Sequence, residues 1–300
     1  MRIFLTGGTG YIGSAVLDAF LKAGHEVTAL VRTPESARLL EERGAHPLTG
    51  DLSRPASYAS TARDHDAYVL TAYEHSGRGV DVDRGAIQEV LGIARQNAPS
   101  VVVYTSGVWV LGRSPRPAAE DTPVNPAAHV AWRPAHERMV LDAHGDGLRT
   151  IVVRPGIVFG SWRGIVGDLF KDASNGIMRI IGDGENRWPL VYDRDLGSLY
   201  HLLACSPETS GVYHATDESD DRVNHIVEAI VAHMPMRPEV RRVPLEEARA
   251  KHGRRADAMA LDQVVRSGRA KALGWTTTMR SVSGNVPVLL EEWQDGRRSV

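Results

Sequence analysis

Short apolar runs alternate with stretches of helical periodicity through the first half of the chain. Arg2-Ile3-Phe4-Leu5 reads as a short buried strand that passes directly into Thr6-Gly7-Gly8-Thr9-Gly10-Tyr11-Ile12-Gly13. Residues 14–23 then set Val16, Leu17, Phe20 and Leu21 on one helical stripe, and Gly24 ends the helix. Glu26-Val27-Thr28-Ala29-Leu30-Val31 is the second strand, residues 45–52 hold a third, and residues 67–73 supply a fourth with its exit loop. Residues 85–96 place Ile87, Val90, Leu91 and Ala94 inward on a helix, and Ser100-Val101-Val102-Val103-Tyr104 is a fifth strand that ends at Thr105-Ser106-Gly107. This alternation predicts an α/β protein, a Rossmann-type doubly wound parallel sheet covered on both faces.

After Gly107 the pattern changes. Leu148-Arg149-Thr150-Ile151-Val152-Val153 reads as one more strand, followed by Arg154-Pro155-Gly156, and from there Gly160, Gly164, Gly167, Gly176, Gly182 and Gly184 divide short elements. The expected organisation is a dinucleotide-binding domain over 1–155 and a smaller C-terminal substrate-binding lobe over 156–300, with segments near 189–215 returning to the core. Residues 223–234 read as an amphipathic helix, residues 244–265 as mostly helical, and Arg297-Arg298-Ser299 as a solvated tail.

The glycine turn carries the chemistry. At a strand-to-helix junction glycines let a phosphate approach the backbone, and the new helix directs its amide groups at that phosphate. Gly7 and Gly10 would close around a pyrophosphate, Tyr11 and Ile12 begin the helix, and Gly13 would bring that helix close to the sheet. Arg32 follows the second strand where an acidic residue would hold the ribose hydroxyls of NAD. Its positive charge suits the additional phosphate of NADP, with Thr33 and Ser36 as further hydroxyl donors, and NAD is the alternative cofactor. Asp51 is a candidate acceptor for an adenine amino group, with Leu52 over the ring, and equally a cap for a helix that begins near Pro55. Thr71, Ala72 and Tyr73 lie where the fourth strand should meet the cofactor.

Composition narrows the classes. Apolar residues at 42% and charged residues at 24% of 300 describe an ordinary globular chain, and a formal net charge of -2 gives no case for nucleic acid or an acidic membrane. The one cysteine, Cys205, excludes an internal disulfide framework. There is no secretory pattern at the start and no apolar run long enough to span a bilayer, so a cytoplasmic protein is expected. The dispersed histidines show no zinc-binding spacing, and no metal is expected.

Five landmarks in order resemble the extended or atypical short-chain dehydrogenase/reductase superfamily, including NAD(P)-dependent epimerase/dehydratase-like proteins. They are Thr6 to Gly13, Asp51-Leu52, Tyr104-Thr105-Ser106-Gly107, Val153-Arg154-Pro155-Gly156 and Val191-Tyr192-Asp193-Arg194-Asp195. The resemblance implies NAD or NADP, chemistry at an alcohol or carbonyl, Pro155 beside the nicotinamide, and dimer contacts through the helices near Gly85 and Arg133. It also implies a serine or threonine followed by Tyr-x-x-x-Lys, and that pair is missing between Gly112 and Arg154. Matching Glu137 and the apolar residues after it to the family helix puts His129 at the tyrosine position and Arg133 at the lysine position. A helix from near residue 127 would set all three on one face. A second registration uses Trp132 and His136.

The sequence therefore predicts an NADP-dependent oxidoreductase of a small organic carbonyl or alcohol with non-standard proton transfer. His129 is the first proton-transfer candidate and Tyr73 a replacement donor. Ser106 or Thr105 would stabilise the substrate oxygen, although the family residue nearest the chemistry can instead match Gly107, and Arg133 would hold ribose or substrate. Trp109, Trp132, Trp162 and Arg187 are candidate substrate contacts, suited to an aromatic or polycyclic molecule as well as to a sugar nucleotide. The rivals are a non-redox isomerase, cyclase or dehydratase on the same fold, and a noncatalytic dinucleotide-dependent sensor or partner-binding protein.

Overall fold

The computed structural model describes residues 1–298. In chain order the first elements are β1 (Arg2–Thr6), α1 (Tyr11–Lys22), β2 (Glu26–Val31), α2 (Pro34–Glu42), β3 (His46–Thr49), α3 (Ala59–Ala62), β4 (Ala67–Leu70), α4 (Gly79–Gln96) and β5 (Ser100–Thr105). There follow β6 (Ser114–Ala118), α5 (Arg133–Leu141), β7 (Leu148–Pro155), β8 (Ile157–Phe159), α6 (Gly164–Ser174), β9 (Ile177–Ile181), β10 (Leu190–Tyr192) and α7 (Asp193–Cys205). The rest is β11 (Gly211–Ala215), α8 (Val223–His233), β12 (Glu239–Val243), α9 (Leu245–His252), α10 (Arg255–Met259), β13 (Gln263–Val265), α11 (Gly268–Ala272) and α12 (Val286–Arg298). Arg297 and Arg298 close α12, and Ser299 lies outside the described residues.

Seven strands form one sheet in the order β11-β7-β5-β4-β1-β2-β3. The pairs from β7 through β5, β4, β1 and β2 to β3 are parallel. The order of the strands reverses at β1, which has β2 on one side and β4 on the other, and in doubly wound sheets that switch is where ligands bind. Register aligns the strand ends as well: Thr6 faces Leu30 and Leu70, and Leu70 faces Tyr104. The turns after β1, β2, β4 and β5 therefore share one edge. Near-continuous burial along β4 and β5 accounts for the uninterrupted apolar runs, because a parallel strand covered on both faces has no solvent side.

The chain divides into two compact units, of which the first comprises Met1–Ser106, Trp132–Val153 and Leu196–Tyr213. Its core joins Phe4, Tyr68, Val102 and Val152 of the sheet to Ile87, Val90 and Leu91 of α4 and Val140 of α5. In α1 Val16, Leu17 and Phe20 are buried, while Leu21 is only half-buried.

The second unit comprises Gly107–Ala131, Arg154–Asp195 and the described residues from His214 onward. It includes Gly107–Ala131, which the sequence assigned to the first domain. Phe159, Phe170, Met178, Leu190, Ile226, Ile230 and Trp293 centre its core. Of its strand pairs, β13 with β6 places a strand at the end of residues 244–265, which the sequence predicted to be mostly helical.

Candidate cofactor and active-site residues

The glycine turn is closed by contacts that only glycine permits. Gly7 has φ +78°, and a Cβ there would lie 2.8 Å from the Ala72 nitrogen and 2.9 Å from Thr71 Oγ1. A Cβ on Gly13 would come within 2.0 Å of the Gly7 carbonyl oxygen and 2.5 Å of Thr71 Oγ1. Gly10 N–H donates to the Gly7 carbonyl at 2.8 Å, which curls the turn into α1. Thr71 and Ala72 lock it from β4: Thr71 Oγ1 donates to the Thr6 carbonyl at 2.6 Å, and Ala72 N–H donates to Thr6 Oγ1 at 3.3 Å. Gly10 is the N-cap of helix α1, which has no side-chain cap and no acidic residue in its first turn. The amide groups of a first helical turn have no intrahelical acceptor, so this end suits a diphosphate.

Along the same edge, Arg32 is exposed after β2 and makes no hydrogen bond or ion pair with protein groups among the described residues. Glu74, whose carboxyl responds to Arg32, is held by two bonds from Arg78, at 2.8 and 3.1 Å, and these keep it below the usual carboxylate range. Thr33 is the N-cap of α2, its hydroxyl accepting from Ser36 N–H at 3.2 Å, so it has a local task of its own.

The capping role considered for Asp51 is not found. Its Oδ1 accepts from Ser53 N–H and Ser53 Oγ at 2.8 and 2.6 Å, while the 3-10 turn Pro55–Ser57 has no side-chain cap. Both serine bonds lower the Asp51 carboxyl. Leu52 packs half-buried against the first unit's core.

The expected helix from residue 127 is broken. His129 occupies a separate 3-10 turn, Ala128–Val130, and α5 begins only at Arg133. Pro134 accounts for the start: it has no N–H to bond a preceding carbonyl, and its fixed φ suits a first helical turn. One face is therefore shared by Arg133 and Glu137 but not by His129, which is exposed and sits edge-on to Trp109 at 6.0 Å in the second unit.

Within the first unit the strand-end residues converge on Arg133. Tyr73 stacks on Trp132 with 5.4 Å between centroids, and the Arg133 guanidinium lies over both rings, 4.5 Å from Trp132 and 5.6 Å from Tyr73. Arg133 also donates to the Thr105 carbonyl at 2.8 Å and to Tyr104 Oη at 3.3 Å. Tyr104 donates to Asp83 Oδ2 at 2.8 Å, and His136 Nδ1 lies 2.7 Å from that same oxygen. Burial pushes the Tyr104 phenol far up, so it stays protonated. The two hydroxyls expected to face substrate are engaged inside the unit: Ser106 Oγ donates to buried Glu137 at 2.5 Å, and Thr105 Oγ1 is 2.6 Å from Tyr200 Oη. Of this network the sequence reading missed Asp83, and it named His136 only in the second registration, with Trp132. The available signal was a carboxylate within the inward stripe of α4, between Val82 and Ile87.

The second unit holds the other candidates. Pro155 is buried at the end of β7, and Gly107, in extended conformation, has open space at its Cβ position up to the Pro155 carbonyl at 3.9 Å. Trp162 lies half-buried against Gly296 and carries the Arg163 guanidinium 4.9 Å above its ring. Arg187, a candidate substrate contact, forms a two-point bond with Asp262 at 2.8 and 2.8 Å and donates to the Pro115 carbonyl at 3.0 Å. Asp195 accepts from Thr278 and Met279, tying them to the start of α7. His25, His201 and Cys205, dispersed in the sequence, bring three potential metal-ligand atoms within 4.8 Å of one another in the first unit. Among the described residues no helix is long and apolar enough to cross a membrane.

The sequence model of the NAD-dependent epimerase/dehydratase family matches residues 3–216. An uncharacterized protein of Schizosaccharomyces pombe is 30% identical over 287 residues, which cover 93% of this chain and 95% of that protein. A 4-hydroxy-2-methyl-3-oxo-4-farnesyl-3,4-dihydroquinoline-1-oxide ketoreductase of Stigmatella aurantiaca is 29% identical over 83% of this chain and 78% of its own. Among solved structures, the human epimerase family protein SDR39U1 (isoform 2) with NADPH aligns with a TM-score of 0.80 at 22% identity, covering 97% of this chain and 99% of that one. That likeness concerns the fold.

Proposed function

Because the chain belongs to the NAD-dependent epimerase/dehydratase family, we propose that it is an NADP-dependent oxidoreductase of a small organic carbonyl or alcohol, with a proton route that bypasses Tyr-x-x-x-Lys. The observation that carries this reading is the glycine turn, closed on its own backbone, together with the exposed guanidinium of Arg32 after the adjacent strand. Its support from relatives is the quinoline-oxide ketoreductase, whose name states a carbonyl reduction, and the NADPH carried by the human structure.

Gly7, Gly10, Tyr11, Ile12 and Gly13 hold the diphosphate in this reading, Arg32 takes the additional phosphate, and Asp51 and Leu52 take the adenine. Thr71 and Ala72 keep the turn closed, and Arg133 and Pro155 are assigned to the nicotinamide ribose and ring. When bound, the reduced nicotinamide is the hydride source for a carbonyl carbon. His129 or Tyr73 donates the proton to the oxygen. With Ser106 and Thr105 engaged by Glu137 and Tyr200, stabilisation of that oxygen passes to Arg133, which cannot itself act as a base. A purely binding role, as a dinucleotide-dependent sensor, is favoured by those same two occupied hydroxyls. A homodimer through the α4 and α5 region is compatible with either reading.

The test is binding of NADPH and NADH before and after Arg32→Ala. A charge-assisted bond to phosphate contributes about 1.5–3 kcal/mol, so NADPH affinity should fall about 10- to 100-fold while NADH binding holds. Equal loss for both, or no uptake of either by the folded protein, refutes the reading. NADPH uptake without oxidation by any of a panel of aromatic and aliphatic ketones moves the assignment to sensing.

A further inference from the structure

We propose that His25, His201 and Cys205 form a metal site in the first unit for a soft or borderline d10 ion, zinc(II) or copper(I). His25 follows Gly24 in the loop that enters β2, and His201 and Cys205 stand one turn apart on α7, so they share a helix face. The three donor atoms lie within 4.8 Å of one another. His25 Nε2 is 3.1 Å from His201 Nε2 and 3.5 Å from Cys205 Sγ.

These are the separations that a four-coordinate ion imposes. With metal–nitrogen bonds of about 2.0–2.1 Å and a metal–sulfur bond of about 2.3 Å, tetrahedral angles place two nitrogens about 3.3 Å apart and nitrogen and sulfur about 3.6 Å apart. Two edges of the polyhedron are thus already at length, and only the edge from His201 to Cys205 has to adjust. Packing constrains the rings: both imidazoles make T-shaped contacts with Phe20, at 5.7 and 5.8 Å between centroids. His25 Nδ1 faces the Met1 amine at 3.2 Å, which leaves Nε2 as its inward atom. A fourth donor is at hand in Met1 Sδ, 3.9 Å from Cys205 Sγ.

Two imidazoles, a thiolate and a thioether form a donor set that excludes hard cations such as magnesium and calcium, which take oxygen. On binding, the thiol proton leaves to solvent, the Cys205 sulfur bonds the ion as thiolate, and both imidazoles bind neutral with no change of oxidation state. The ion would staple the loop between α1 and β2 to α7, within one unit and independently of any dinucleotide.

The experiment is a titration of the chelator-treated full chain with cobalt(II), a spectroscopic probe for zinc sites, followed by displacement with zinc(II). A parallel titration uses copper(I) against a chromogenic competitor. One equivalent of cobalt with a thiolate charge-transfer band and tetrahedral visible bands is expected, and the charge-transfer band should vanish in Cys205→Ser and the whole spectrum in His201→Ala. Because Cys205 is the only thiol, its alkylation rate in the unaltered protein gives a second readout that needs no variant. Slowing by one equivalent of zinc or copper supports the site and identifies the ion. A band that survives Cys205→Ser, or alkylation equally fast with and without either ion, overturns the proposal.

Discussion

Asp193→Asn should stabilise the second unit above about pH 6 and leave it unchanged below about pH 4. Asp193 is 8% exposed at the start of α7, and burial raises its carboxyl from 3.8 to about 6. The Arg194 N–H, donating to Asp193 Oδ1 at 2.8 Å, opposes the shift, and Glu292 reinforces it. A difference of about 2 units corresponds to about 3 kcal/mol. Since the folded chain holds this proton more tightly than the unfolded one, the contribution is fully present below the unfolded pKa and is lost as pH rises through the folded value.

His214 works in the other direction. Its burial, and then Arg154, push the imidazole from 6.5 down to about 4, against a bond to the Arg266 carbonyl. Here the unfolded chain holds the proton more tightly, so stability is present above about pH 6.5 and lost as pH falls toward about 4, by a similar 3 kcal/mol. Over their shared window the two groups cancel, and Asp193→Asn should uncover the acid lability of His214. Urea unfolding followed by tryptophan fluorescence at a series of pH values measures the variant minus the unaltered protein. A difference that stays flat from about pH 4 to 7, or turns negative above about pH 6, refutes the reasoning. It would mean that the helix dipole and Arg194 hold the carboxylate charged despite its burial.

Gly13→Ala places a methyl group 2.0 Å from the Gly7 carbonyl oxygen and should abolish dinucleotide binding in a fluorescence titration; wild-type affinity would remove the turn from the site. Gly24→Ala is the control, since its φ of +78° costs about 1 kcal/mol in open space and should leave binding intact. Arg187→Met breaks the two-point bond to Asp262 and should cost about 1–3 kcal/mol in urea unfolding. Unchanged stability with a raised KM would put Arg187 on substrate instead. His129→Asn should lower kcat about 100-fold with dinucleotide affinity unchanged, and an unaltered kcat alongside a loss in Tyr73→Phe would move the proton to the phenol.

The first sheet strands and the glycine turn were readable because their signals are local. A buried strand, a glycine every third residue and a helical stripe from Val16 to Phe20 each span a few positions. What escaped depends on distance along the chain or on misleading composition. Ser114-Pro115-Arg116-Pro117-Ala118 pairs as β6 although prolines argue against a strand, and Glu239-Val240-Arg241-Arg242-Val243 forms β12 with little burial to mark it. Arg187 finds Asp262 seventy-five residues away, and Ser106 finds Glu137 thirty-one residues away. Neither pairing has a periodicity to betray it. The α5 error was avoidable, since Pro134 already marked a first turn.

The units are interleaved along the polypeptide: the first is assembled from three stretches, with parts of the second threaded between them. No single cut can release either one, so neither half can be expressed, swapped or inherited as a module by joining one segment end to end. A recombinant chimera that exchanges a contiguous block for a relative's will transplant fragments of both bodies, and its failures will report mismatched cores before they report altered chemistry.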